Sequence, residues 1–181
     1  MIQICNKDNC CGCSACSSIC PKDAIKMEYD NHGFLHPIID EKNCIECKKC
    51  QSVCPINKKI DGGDNDYVYA AKAKDKRIRF KSQSGGAFAL LAKKTILNNG
   101  IVYGAVYKNK KVFYSKAINL IELEDLKKSK YVQADLSGIF HEIEEDLKKG
   151  KMVLFSGTPC YVAAILTYLK IKKISMNNFI T

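Results

Sequence analysis

The chain has 181 residues, 46% of them hydrophobic, which suffices for one ordinary domain or for a small one joined to a medium one. Its formal charge of +10 comes from 29 basic and 19 acidic residues, and the lysines are scattered among acids rather than interleaved with aromatics, which argues against nucleic-acid binding. Ten of its eleven cysteines precede residue 55; with no apolar run behind a basic start and no bilayer-length stretch, a cytoplasmic, metal-binding use of these thiols is expected rather than disulfides.

In chain order the first feature is a repeat. Cys10, Cys13, Cys16, Cys20 and Pro21 recur 34 residues later as Cys44, Cys47, Cys50, Cys54 and Pro55. Each set reads C-x2-C-x2-C-x3-C-P, the run that holds [4Fe–4S] clusters in bacterial ferredoxins. Three thiolates at intervals of three wrap one face of a cubane, and small or polar residues such as Gly12, Ser14 and Ala15 let backbone N–H groups approach its sulfides. The fourth Cys leaves the loop for the other cluster, so Cys10, Cys13, Cys16 and Cys54 are expected to hold one cubane and Cys44, Cys47, Cys50 and Cys20 the second. Zinc prefers two separated pairs of ligands and fits the spacing poorly. Cys5 and Cys11 fall outside the frame and read as non-ligands. Two loaded clusters remove about four charges, leaving roughly +6.

Between the loops, 24–27 and 34–39 flank the turn Asp30-Asn31-His32-Gly33 and predict a β-hairpin. After Pro55 the symmetry of the repeat fails. Residues 1–58 thus read as a dicluster module and 59–66 as a polar linker, and 67–181 alternate between strand and helix. Strands are expected over 67–73, 101–107, 112–118 and 152–155, with the start of another at 177–181. Helices are expected over 87–97, around Ile139, Ile143 and Leu147, and from Pro159 to about Leu169, the last with Thr158 as N-cap. The whole is α+β: a bacterial-ferredoxin-like 2[4Fe–4S] module followed by an α/β domain that is expected to be incomplete. Ser84-Gly85-Gly86 is either an ordinary helix cap or a cradle for a phosphate or a flavin pyrophosphate. Cys160 is either a small buried hydrophobe or a thiol activated by the helix that begins beside it. No residue reads as a general acid or base, the histidines being isolated.

The combined order resembles the coenzyme F420-reducing hydrogenase/dehydrogenase β-subunit family, in its version with an N-terminal dicluster domain. The resemblance rests on the two cysteine runs, Ser84-Gly85-Gly86-Ala87, Lys128-Ser129-Lys130-Tyr131-Val132-Gln133 and Gly157-Thr158-Pro159-Cys160. It implies an iron–sulfur flavoprotein oxidoreductase with FAD, and a two-electron acceptor such as coenzyme F420. It further implies a flavin site at Ser84, Gly85, Gly86, Lys130, Tyr131 and Gln133, with Thr158 and Cys160 also cofactor-binding, Cys160 as one ligand of a flavin-proximal cluster whose other ligands lie further along, and a protein redox partner such as a ferredoxin or a hydrogenase or dehydrogenase subunit. Family members continue into a C-terminal domain, so this chain is expected to stop short of it. The alternative is an electron carrier or partner subunit with no flavin of its own.

Overall fold

The computed structural model describes residues 2–58 and 69–181. The expected linker, and the first two residues of the strand expected over 67–73, lie outside them.

The first part is built by duplication. Gly12 and Ser14 adopt left-handed backbone with φ of 64° and 62°, and 34 residues on Glu46 and Lys48 do the same with φ of 50° and 59°. Each pair curls a loop that leads into a short helix, α1 (Ala15–Ser18) and α2 (Lys49–Val53). The predicted hairpin forms as β1 (Ile25–Tyr29) and β2 (Leu35–Ile39), antiparallel, with Ile25 opposite Ile39. Asp30 closes the turn, its Oδ1 accepting from the N–H groups of His32 and Phe34. The second half has no such hairpin. A 3-10 turn over Pro55–Asn57 follows instead, and the Asn57 amide donates to the Ile4 and Gln51 carbonyls. The Gln51 amide likewise donates to Gln3 O. These bonds lay the N-terminal segment, including Cys5, over the paired loops.

The second part is a four-stranded sheet in the order β4-β3-β5-β6. β3 (Ile101–Lys108) and β4 (Lys111–Ala117) form a hairpin through Asn109 and Lys110, both at positive φ as a tight two-residue turn requires. β5 (Val153–Phe155) and β6 (Phe179–Ile180) add in parallel. Alternation sorts the side chains. Val102, Val106, Ala117 and Leu154 face one core beneath α4 (Ala87–Leu97) and α5 (Leu120–Leu126). Ile101, Tyr103, Tyr114, Val153 and Phe155 face the other, beneath α6 (Ile139–Lys148) and α7 (Pro159–Ile171). That second core continues without a break into Ala15, Cys16, Ile19 and Val53 of the cysteine loops, so both parts share one buried interior.

Two elements depart from expectation. Residues 69–73 form no strand: the Ala73 N–H bonds to the Gly85 carbonyl of a loop rather than to a sheet, and Lys72 and Lys74 leave the segment polar. A helix absent from the sequence reading, α3 (Lys76–Lys81), follows it, capped by Asp75 Oδ1 on the Arg77 N–H. Its Phe80 is 92% exposed, so no apolar periodicity announced it.

Candidate functional site

The paired loops bring the eight motif cysteines into two groups. One cavity is lined by Cys10, Cys13, Cys16 and Cys54 together with Cys5, Cys11 and Ser14. A second is lined by Cys20, Cys44, Cys47 and Cys50. Each combines three thiols of one run with the fourth of the other, because the chain after each short helix crosses to its twin. Among the described residues no three of Cys, His, Asp or Glu converge closely enough to hold a single metal ion; the quartets ring a volume instead.

The surroundings suit a group rich in sulfur. Ser14 Oγ, buried with its residue 1% exposed, borders the first cavity and has no hydrogen-bond partner. A cluster sulfide would supply the missing acceptor. Backbone N–H groups already point at thiols: Gly12 at Cys10, Ser17 at Cys16 and Gln51 at Cys50. Burial first, then neighbouring thiols, pushes Cys16 up to about 12. Thiols so placed ionise only with cationic metal among them.

Cys5 and Cys11 are drawn into the first cavity, although their spacing placed them outside the frame. Cys5 lies against Cys54 and Cys10; burial and these neighbours push it up to about 12. Cys11 bonds toward Cys13, which raises its pKa more than burial does, and it adjoins Cys160. The Cys160 thiol is raised by burial and by Cys11, against a contact of 3.1 Å with Thr158 Oγ1. Thr158 therefore occupies the N-cap position of α7 without capping it through its side chain.

On the far side of this junction lies a cleft of about 470 Å³, within the usual size of small-molecule sites. The structure brings Ser84, Gly85, Gly86, Lys130 and Thr158 to its walls together with Lys127, Lys128, Tyr114 and Gly157. Gly86, at φ 83°, precedes α4 with no side-chain cap, so the first N–H groups of that helix face the cleft unclaimed. A Cβ on Gly85 would collide with Ala71 O, and one on Gly157 would stand 2.8 Å from both Phe155 and the Tyr114 hydroxyl. Lys130 Nζ donates to the Asp125 and Lys127 carbonyls at 2.9 and 2.7 Å, closing the end of α5, and burial lowers its pKa. Lys127 pairs with Glu124, whereas Lys128 has no ion pair among the described residues. The donor set is that of an anion site.

The remaining expected residues stand apart. Tyr131 is 84% exposed and its hydroxyl accepts from Gln83 Nε2, while Gln83 Oε1 accepts from the Ser129 N–H. Gln83, which no sequence signal marked, thus ties the Ser84-Gly85-Gly86 loop to the 128–131 segment. Gln133 is outside the cleft and contacts the first cysteine loop. Tyr114 stacks on Phe155 at 5.3 Å and meets Tyr161 edge-on at 5.8 Å. The Tyr161 ring thus meets the cleft-wall Tyr114, its hydroxyl donates to Ala134 O at 3.1 Å, and burial first, then Cys160, Tyr114, Cys11 and Cys13, holds that hydroxyl above its usual pKa.

The comparisons agree with this anatomy. Residues 9–58 match a family described as a 4Fe-4S dicluster domain, residues 36–88 match a second family of that description, and residues 68–140 match the N-terminal domain of the coenzyme F420 hydrogenase/dehydrogenase beta subunit. Together these matches are those of the coenzyme F420 hydrogenase/dehydrogenase beta-subunit family with an N-terminal ferredoxin module. Both dicluster matches describe one module, since residues 55–88 contain no cysteine. No curated protein matches the chain. The dicluster match supports iron–sulfur clusters in this chain and an electron relay through them. Among the described residues, no helix is long and apolar enough to cross a membrane.

Proposed function

We propose that this chain relays electrons through two crossed-ligated [4Fe–4S] cubanes, to or from an FAD seated in the cleft, and that it works as an iron–sulfur flavoprotein oxidoreductase with a two-electron acceptor such as coenzyme F420. Cys10, Cys13, Cys16 and Cys54 hold the first cubane, and Cys44, Cys47, Cys50 and Cys20 the second. The observation that carries this reading is the contiguity of the first thiol cavity, the Cys11–Cys160 and Tyr161 junction, and the cleft. A bound flavin would supply exchange between single electrons and a hydride.

The chain's own residues bind and orient. The N–H groups at the start of α4 and the Lys128 ammonium meet the anionic end of the cofactor. Gly85 and Gly157 keep the walls free of Cβ atoms, and Tyr114 gives an apolar face. Protein redox partners and a cytoplasmic setting belong to the same reading.

The test is equilibrium FAD binding to anaerobically prepared, cluster-loaded protein. Saturable binding of about one FAD per chain is expected, with Lys128→Ala weakening it about three- to tenfold, since a charge-assisted bond contributes about 1 kcal/mol or more. Intact clusters with no flavin uptake would instead favour a carrier or partner subunit.

A further inference from the structure

Among the described residues, Gln133 is the side chain of the sheet domain that grips the backbone of a cysteine loop. Its Nε2 donates to Cys11 O at 3.1 Å across 122 residues of sequence. Its Oε1 accepts from the Leu35 N–H, the first of β2, at 2.7 Å. Both ends of the carboxamide are engaged, and the N–H donor at Leu35 fixes which end is oxygen. The amide lies against Gly12, where an added Cβ would collide with Nε2 and would stand 2.7 Å from Leu35 O.

The peptide that carries Cys11 O also carries the Gly12 N–H, and that N–H points at the Cys10 sulfur. One planar unit therefore links the Gln133 donor to a thiol of the first cavity. A bond to the carbonyl of a peptide polarises it and strengthens its N–H as a donor. Hydrogen bonds to ligand sulfurs in turn set the potential of an iron–sulfur centre.

We infer that Gln133 is a positioning residue for the first cluster: through the Cys11–Gly12 peptide it strengthens the bond to Cys10 and raises that cluster's potential relative to the second. The inference rests on the cubane reading proposed above. The duplication provides an internal control. The residues 34 positions on, Ile45 and Glu46, are exposed, and among the described residues no side chain bonds the Ile45 carbonyl. The two loops share a backbone path and differ in this clamp.

The experiment is an EPR-monitored potentiometric titration of the whole anaerobic chain, the second cluster being identified as the one lost in Cys20→Ala. Gln133→Leu removes the donor at similar volume. Gln133→Glu keeps the acceptor for Leu35 and replaces the donor with negative charge. Both are expected to move the first cluster to more negative potential, Glu further than Leu, with the second cluster unchanged. At a fixed applied potential the reduced-to-oxidised ratio of the first cluster should fall about two- to fivefold in the Leu variant, as loss of one cooperative bond implies. If Leu loosens the fold, iron content and the Glu variant still decide. Clusters that remain intact with no selective shift, or that shift together, overturn the inference alone. A wild-type chain that assembles no pair of cubanes overturns it together with the functional reading.

Discussion

Single residues carry much of this design because the loops bend where side chains cannot follow. Gly12 combines φ of 64° with the Gln133 carboxamide and Leu35 O packed on its Cα. Replacing it by Ala adds strain of about 1–2 kcal/mol for the left-handed backbone and forces the clamp apart. Gly12→Ala should therefore lower the thermal midpoint of visible cluster absorbance by several degrees and make the first cluster the more labile one; unchanged lability would show that the Gln133 contact is loose. Spacing located the eight motif thiols, since a cubane demands that interval. It could not locate Cys5 and Cys11. The place of Cys5 beside Cys10 and Cys54 depends on bonds from Asn57 and Gln51 to the N-terminal backbone, and that of Cys11 beside Cys160 on packing against α7, neither of which leaves a trace in a motif. The same limit applies to Gln133, whose resemblance suggested a flavin contact while its hydrogen bonds run to Cys11 and Leu35.

Among the elements, those with clean periodicity were legible. β3, β4 and β5 alternate between two cores, and α6 repeats Ile139, Ile143 and Leu147 on its buried face. α3 was hidden because its only large apolar side chain on the outward face, Phe80, is solvated. α6 and α7 also meet through polar groups that sequence could not pair. Glu144 Oε2 accepts from the Tyr168 hydroxyl at 2.6 Å and lies 3.5 Å from Lys172, while its Oε1 pairs with Lys148. Burial resists ionisation of Glu144, but the Lys148 and Tyr168 bonds and the Lys172 charge prevail and bring its pKa from 4.5 down to about 2. A carboxyl depressed in the fold stabilises above its unfolded pKa and loses that contribution as pH falls through the folded one. Glu144→Gln should thus be clearly less stable than wild type near neutral pH, with the gap in denaturant midpoint closing between about pH 4.5 and 2. A gap independent of pH would mean that the ion pairs contribute nothing.

For the molecule as a whole, the paired loops and the sheet domain are one packed body with an uneven distribution of charge. Of the 29 basic residues, 21 lie in 69–181 against 9 of the 19 acids, while residues 1–58 balance seven with seven. Cluster loading would make the first part negative beside a strongly basic second part, a polarity suited to orienting charged partners and the anionic cofactor. The order of motifs along the chain announced this two-part plan. What it did not reveal is that the cysteine loops lie on the α6/α7 face of the sheet and share its core, because packing across a hundred residues depends on shape rather than on pattern.

The crossing of the two cysteine runs is the claim from which the rest follows, and spectroscopy of matched variants tests it directly. Cys20→Ala, prepared anaerobically, should lose the cubane held by Cys44, Cys47 and Cys50 and retain at least part of the one held by Cys10, Cys13 and Cys16, with Cys54→Ala giving the reverse pattern in EPR and iron content. If Cys20→Ala instead removed only the cluster of its own run, each loop would hold its cubane alone and the account would fail.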